Sequence, residues 1–197
     1  MIKLLLATGN TGKAREFMAL LQDIAIELVT LQGIGLKLEV KEVGKTYAEN
    51  AALKALAYAR ASGLLTLGDD SGVEVEALGG APGLYSARYA PLQAATDADH
   101  RAYLLGHLSG LSRPWLASFH CTVALATPSE EVHFAEGICP GEIITEERGS
   151  NGFGYDPIFL IPELGRTMAE LSMGEKNQVS HRARAVKAAL PALLSFL

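Results

Sequence analysis

"LLLATGNTGKAREF", Leu4 to Phe17, runs from an apolar stretch through a glycine-rich turn and a lysine into a helical pattern. An apolar run that ends in glycines and opens a helix reads as a strand, a turn and a helix start. Thr11 reads as the helix cap, and Ala14, Phe17, Met18 and Leu21 recur at the spacing of one buried face. The turn from Gly9 to Gly12 then sits where unpaired backbone amides and the positive end of the helix dipole converge, an arrangement that binds anions. A true P-loop needs GxxxxGK followed by Ser or Thr, so that a hydroxyl can hold magnesium. Here Gly9-Asn10-Thr11-Gly12-Lys13 is two residues shorter and Ala14 follows the lysine. What remains is an anion cradle of Thr8, Asn10 and backbone amides, with Lys13 as a point charge. An ordinary strand-to-helix connection would use the same letters.

Outward from that stretch, helix and strand signals follow one another. "KTYAENAALKALAYARASG" places Thr46 and Glu49 in capping-box register and Gly63 as a stop, which predicts a helix over 46–62 with Asn50 and Lys54 on one face. "LLTLGDDSGVEVEAL" is an apolar strand entering a carboxylate pair, after which Val73 and Val75 alternate with Glu74 and Glu76. A loop rich in glycine and proline follows, then a helix near 97–109. "WLASFHCTVALAT" puts Ala117, Phe119, Cys121, Val123 and Leu125 on one face of a strand. Further strands are expected near 132–137 and 141–147, and around Ile158 to Ile161 after the glycine-rich loop "RGSNGFGYDP". The tail from Ser180 to Leu197 is a helix with Ser180 as its cap and Pro191 as a kink or break.

The 197 residues, 49% of them hydrophobic, suffice for one well-buried core, so a single domain over 1–197 is expected. With a formal charge of -5 the chain has no general attraction for nucleic acid, and a polyanion must meet a local basic cluster. Met1 to Leu6 does not read as a signal peptide and no run approaches the roughly 18 apolar residues of a membrane helix, so a soluble, cytoplasmic protein with no membrane partner is expected. The two cysteines, Cys121 and Cys139, lack metal-site spacing and read as buried thiols.

Three places can carry chemistry. One is the cradle. The second is Asp69-Asp70-Ser71-Gly72: adjacent strand residues face opposite sides, so only one carboxylate should face a site. A magnesium ion takes one or two carboxylates plus substrate phosphates, so that one Asp and a second acid elsewhere would suffice; a solvated turn is the plainer reading. The third is "GFGYDP" with "EKNQVSHRARA", where an aromatic flanked by glycines can face a planar ring and His181 and Arg182 are donors at a helix start.

Taken in order, "ATGNTGKAREF", "TYAENAALKA", "DDSGVEVEALGGAPGLYSARYA", "SFHC", "GSNGFGYDPIF", "MAEL" and "EKNQVSHRARA" resemble the inosine triphosphate pyrophosphatase family, the dITP/XTP or non-canonical purine nucleoside triphosphate pyrophosphatases. The stretches run from residue 7 to residue 185. The Maf-like nucleotide pyrophosphatases share the architecture but begin with a different, Ser- and Arg-rich loop. The resemblance implies an α/β fold with an elongated mixed β-sheet, flanking helices and two lobes around a central nucleotide-binding cleft. It implies hydrolysis of ITP, dITP and XTP to the monophosphate and pyrophosphate, dependent on Mg2+, in a homodimer. Carried over by motif, Thr8, Gly9, Asn10, Thr11, Gly12 and Lys13 hold the triphosphate, and Lys54 reaches phosphate. Asp70 binds the metal and activates water, Ser71 adjoins the substrate, and Glu42 is the second acidic ligand. Phe153, Gly154, Tyr155 and Asp156, with Lys176, His181 and Arg182, line the nucleoside end. Deamination turns the 6-amino donor of adenine into a 6-keto acceptor, so base choice calls for donors, expected from Arg182, His181 and the amides of 153–156, with Phe153 or Tyr155 stacking on the ring.

Overall fold

The computed structural model describes residues 2–196. Its seven strands form one mixed sheet: β1 (Ile2–Leu6), β2 (Ile26–Thr30), β3 (Leu65–Val75), β4 (Trp115–Ala126), β5 (Val132–Ile143), β6 (Phe159–Ile161) and β7 (Arg166–Thr167), in the order β2-β1-β3-β4-β5-β6-β7. β1 runs parallel to β2 and β3, whereas β6 is antiparallel to both β5 and β7. The helices are α1 (Thr11–Leu21), α2 (Tyr47–Ser62), α3 (Asp97–Leu108), α4 (Met173–Val179) and α5 (His181–Leu194).

The chain divides into two compact units, Met1–Asp70 with Cys121–Gly137 and His181–Leu197, and Ser71–His120 with Ile138–Ser180. No linker marks the division, because the chain passes from one unit to the other inside β3, β4 and β5 and at the start of α5. A strand that continues across carries no change of composition for a sequence to reveal.

In the first unit Leu4, Leu6, Phe17, Leu21, Leu67, Val123, Leu125, Val186 and Leu193 form one core between the sheet and α1 and α5. On the other face Ala51, Ala55 and Ala59 of α2 meet Ala124 and Ala126 of β4. Residues this small let helix and strand approach closely, and at Gly68 an added Cβ would lie 2.7 Å from the Ala51 carbonyl oxygen. The alternation expected of β4 holds only as far as His120; from Cys121 to Ala126 both faces are buried, because α2 covers the second. At Gly137 a Cβ would lie 2.1 Å from the His181 carbonyl oxygen and 2.3 Å from the Ala185 nitrogen, so this glycine lets β5 seat the first turn of α5.

The second unit has its own core, in which Val73, Val75, Leu104, Leu108, Trp115, Phe119, Tyr155, Ile158, Phe159 and Met168 pack together. Val73 and Val75 are buried and Glu74 and Glu76 are not, as their alternation predicts. Both cysteines are buried thiols.

Four boundaries differ from expectation. Asn10, not Thr11, caps α1: its Oδ1 accepts from the Lys13 amide at 3.0 Å, and Thr11 is the first helical residue. Met18 is 39% exposed, because the buried stripe of α1 is turned toward Glu16 and Phe17. The two strands expected near 132–137 and 141–147 are one, β5, which ends at Ile143; β6 pairs with it only at Glu142 and Ile143, so Pro140 interrupts no ladder on that side. α5 continues through Pro191, which lies in the last turn, where its missing N–H forfeits the single bond to the Lys187 carbonyl.

Candidate active site

The turn after β1 is built by short-range bonds. Asn10 donates its amide to Thr8 Oγ1 at 3.1 Å and accepts the Lys13 amide on its side chain. The first turn of α1 leaves the amides of Thr11 and Gly12 with no intrahelical acceptor, and Gly9, Asn10 and Thr11 are exposed. An anion arriving here meets those amides and the positive helix end.

The lysine of the cradle is paired. Lys13 Nζ lies 2.8 Å from Asp69 Oδ2, and the same carboxylate oxygen is 3.4 Å from Arg182 Nη2, while Arg182 Nη1 bonds Glu16 Oε2. Arg182, Asp69 and Glu16 are all buried, so two cations and two carboxylates alternate in a chain that reaches solvent only at Lys13 among the four. Burial works against the charge of Asp69, yet Lys13, Arg182 and Lys54 hold its carboxyl well below the usual range. Arg182 is likewise penalised by burial and held charged by Asp69 and Glu16. Burial pushes the Cys121 thiol up to about 12, against the pull of the nearby Arg182 guanidinium, so it is inert as a nucleophile.

Asp70 has a different environment. Its Oδ2 accepts from Asn50 Nδ2 at 2.9 Å, and Asn50 Oδ1 accepts the Gly44 amide at 2.8 Å. Because the Gly44 amide can only donate, the orientation of the Asn50 amide is fixed and its donor faces Asp70. Burial raises the Asp70 carboxyl above its ordinary value and Glu42 adds to the shift, against Lys54, the Asn50 bond and Lys13. Lys54 pairs with Glu42, and although burial works against its charge, Asp69, Glu42 and Asp70 raise its pKa. Glu42, Lys54, Asp69 and Asp70 therefore act within one electrostatic neighbourhood. The two adjacent aspartates differ as strand geometry requires, one bonded to Lys13 and Arg182 and the other to Asn50.

Among the described residues no three His, Cys, Asp or Glu side chains group as a metal cage. Asp70 and Glu42 instead offer hard carboxylate oxygens in the small number that Mg2+ accepts when phosphates and waters complete its shell. The residues present fit that ion.

In the second unit Lys176 Nζ pairs with Asp156 Oδ2, both side chains being 4% exposed, and stands 5.2 Å from the centre of the Phe153 ring. The Phe153 amide donates to the same Asp156 oxygen at 2.9 Å, and the Gly154 amide to Asp97 Oδ2 at 2.7 Å. The Asp156 amide in turn donates to the Phe153 carbonyl at 3.2 Å, so three of the four backbone donors expected to read a base are bonded within the protein. Tyr155 is a core residue whose hydroxyl donates to the Ser86 carbonyl at 2.9 Å, so the half-buried Phe153 is the aromatic that can offer a face. Ser71 follows Asp70 in β3 and is half-buried; His181 is buried at the start of α5 beside Arg182. Among the charged residues, Glu16 is the one the sequence reading leaves out, and its sign was a carboxylate next to Phe17 on the buried face of α1.

The sequence matches the Ham1 family over residues 4–192. It is 46% identical over 193 residues to a dITP/XTP pyrophosphatase of Desulforamulus reducens, covering 98% of this chain and 96% of that one. It is 48% identical over 188 residues to a dITP/XTP pyrophosphatase of Listeria monocytogenes, covering 95% and 92%. Among solved structures, a HAM1 protein from Coxiella burnetii superposes with a TM-score of 0.88 at 40% identity over 100% of both chains. A nucleoside-triphosphatase / dITP/XTP pyrophosphatase from Mycobacterium abscessus gives 0.75 at 41% identity, over 96% of this chain and 100% of that one.

Proposed function

The chain belongs to the Ham1 family, and from that premise we propose that it hydrolyses the non-canonical purine nucleoside triphosphates dITP, XTP and ITP to the monophosphate and pyrophosphate. The observation that carries the reading is the pairing of an exposed helix N-terminus and Lys13 with a separate, Asn50-oriented carboxylate at Asp70. The first arrangement binds phosphate and the second can direct a water.

The triphosphate takes the amides of Thr11 and Gly12, the side chains of Thr8 and Asn10, and Lys13. Lys13 must leave Asp69 to reach it, and Arg182 stays behind as the counter-ion of that carboxylate, so the exchange strands no buried charge. Asp70 and Glu42 would hold Mg2+, which would supply positive charge to offset that of the phosphates and of the pyrophosphate as it leaves. Asp70 accepts the proton of the attacking water while Asn50 Nδ2 fixes the carboxylate plane. Lys54, paired with Glu42 and kept charged, adds positive potential for the phosphates. Within the second unit, Phe153 offers the aromatic face on which a purine can stack, with Lys176 Nζ 5.2 Å from its ring centre. The protein acts as a homodimer in the cytoplasm, without nucleic-acid or membrane partners; the acidic balance of the chain supports the first absence. Among the described residues no helix is long and apolar enough to cross a membrane.

The test is a panel of dITP, XTP, ITP, dATP and dGTP under steady-state conditions with Mg2+. The reading predicts kcat/KM for dITP and XTP at least about 100-fold above dATP, the discrimination that unmatched polar groups can supply. Equal values across the panel would defeat it.

A further inference from the structure

The peptide of Gly154 is held from both ends by α3. Its amide donates to Asp97 Oδ2 at 2.7 Å and its carbonyl accepts from Arg101 Nη1 at 2.8 Å. Asp97 and Arg101 are four apart on α3, hence on one face of that helix. Gly154 itself has φ +60°, so the loop turns sharply here between Phe153 and Tyr155. Arg101 is aimed by a second fork: its Nε and Nη2 bond the two carboxylate oxygens of Glu147 at 2.7 and 3.0 Å. A planar guanidinium held bidentately on one edge presents its remaining N–H groups in a fixed direction. The Arg101 side chain is 12% exposed and Glu147 49%, so the fork reaches inward from a solvated anchor.

We propose that Arg101, aimed by Glu147 and assisted by Asp97, is a positioning residue that sets the plane of Phe153 and thereby governs purine selectivity. It rests on the reading of Phe153 as the stacking partner of the base. The loop around Phe153 is further constrained by the Phe153 amide on Asp156, the Asp156 amide on the Phe153 carbonyl at 3.2 Å, the Tyr155 hydroxyl on Ser86 and Lys176 facing the Phe153 ring. Those contacts act on the residues on either side, whereas the N–H and C=O of Gly154 itself go to Asp97 and Arg101. Stacking alone accepts any purine, so discrimination depends on holding the base edge in one position, and a ring free to rock lets a mismatched base shift to relieve its unmatched group.

Arg101→Ala is expected to raise KM for dITP about tenfold with kcat within about twofold, and to lower the dITP/dATP ratio of kcat/KM about fivefold. Glu147→Gln should move both in the same direction by less, and Arg101→Lys, which can still donate to the Gly154 carbonyl but not form the fork, should fall between. Hydrogen exchange at the Gly154 amide, read in 1H–15N spectra, should be at least about tenfold faster in Arg101→Ala. A purely structural role would lower Tm and the active fraction, hence kcat, and leave KM and the ratio alone; that result overturns the proposal. Unchanged exchange at Gly154 overturns it independently of any turnover. Absence of dITP and XTP turnover in the wild type would instead defeat the proposed activity while leaving the exchange measurement to decide the brace. Should Arg101→Ala fail to fold, Glu147→Gln and Arg101→Lys carry the same comparisons.

Discussion

Asp69→Asn and Asp70→Asn are isosteric changes at adjacent positions, and their effects should separate. Asp69 is buried between Lys13 and Arg182, so the amide leaves two cations short of a partner. Removing one member of a buried pair costs about 3–5 kcal/mol, and here the loss falls to about 2–3 kcal/mol because Arg182 keeps Glu16 and the partly exposed Lys13 can turn to water. For a chain of this size each kcal/mol moves Tm by about 2–4 °C, so Asp69→Asn should melt roughly 4–12 °C lower. The folded pKa of Asp69 is depressed, so its charge stabilises the protein above the unfolded value near 3.9 and the contribution is lost as pH falls toward the lower folded value. The gap between wild type and Asp69→Asn is therefore flat above about pH 5 and shrinks below about pH 4. Asp70→Asn keeps the Asn50 bond through its own carbonyl oxygen and relieves a buried charge, so its Tm should match or exceed the wild type. Its kcat should fall by about 10²- to 10⁴-fold with the loss of the base. Thermal melts and urea titrations at pH 7, 5 and 3, paired with dITP turnover at pH 7, give both readouts. Equal Tm losses in the two variants, or a larger kcat loss in Asp69→Asn with folding intact, would refute the division of labour.

Chelation should abolish turnover and Mg2+ restore it, and Glu42→Gln should raise the Mg2+ concentration needed for half-maximal rate by about 10- to 100-fold; an unchanged requirement removes Glu42 as a ligand. Phe153→Ala should lose about 1–3 kcal/mol of stacking, roughly a 5- to 150-fold rise in KM. Tyr155→Phe should leave kcat/KM unchanged and lower stability by about 1 kcal/mol, the worth of its hydroxyl bond to Ser86, as melting and steady-state assays on both variants would show.

The α/β pattern was readable because each signal was local. Thr46 as the cap and Gly63 as the stop frame α2, whose first helical residue is Tyr47, although the Glu49 carboxylate accepts from the Lys45 amide; the Val73/Val75 alternation gives the buried face of β3. The same logic, applied to Ser172 and Glu175, would have found α4, whose capping box stands in "SMGE". What the sequence could not supply were the long-range pairings. The charge of Glu16 is explained only by Arg182, and the conformation of Gly154 only by Asp97 and Arg101. Two lobes were implied by the resemblance, but the places where the chain passes between the two units were hidden, since they fall inside continuous strands. Of the candidate site, the cradle and Asp70 are where their motifs led, while the donors expected at the Phe153 and Gly154 amides are bonded within the protein and Tyr155 belongs to the core.

The bond that is cut tests the account most directly. When dITP turnover with Mg2+ is followed by 31P NMR, dIMP and pyrophosphate should appear together in equal amounts, with no dIDP and no orthophosphate at early times. Release of dIDP and orthophosphate would mean attack at the γ-phosphate, and it would contradict the assignment of this chain as a pyrophosphatase.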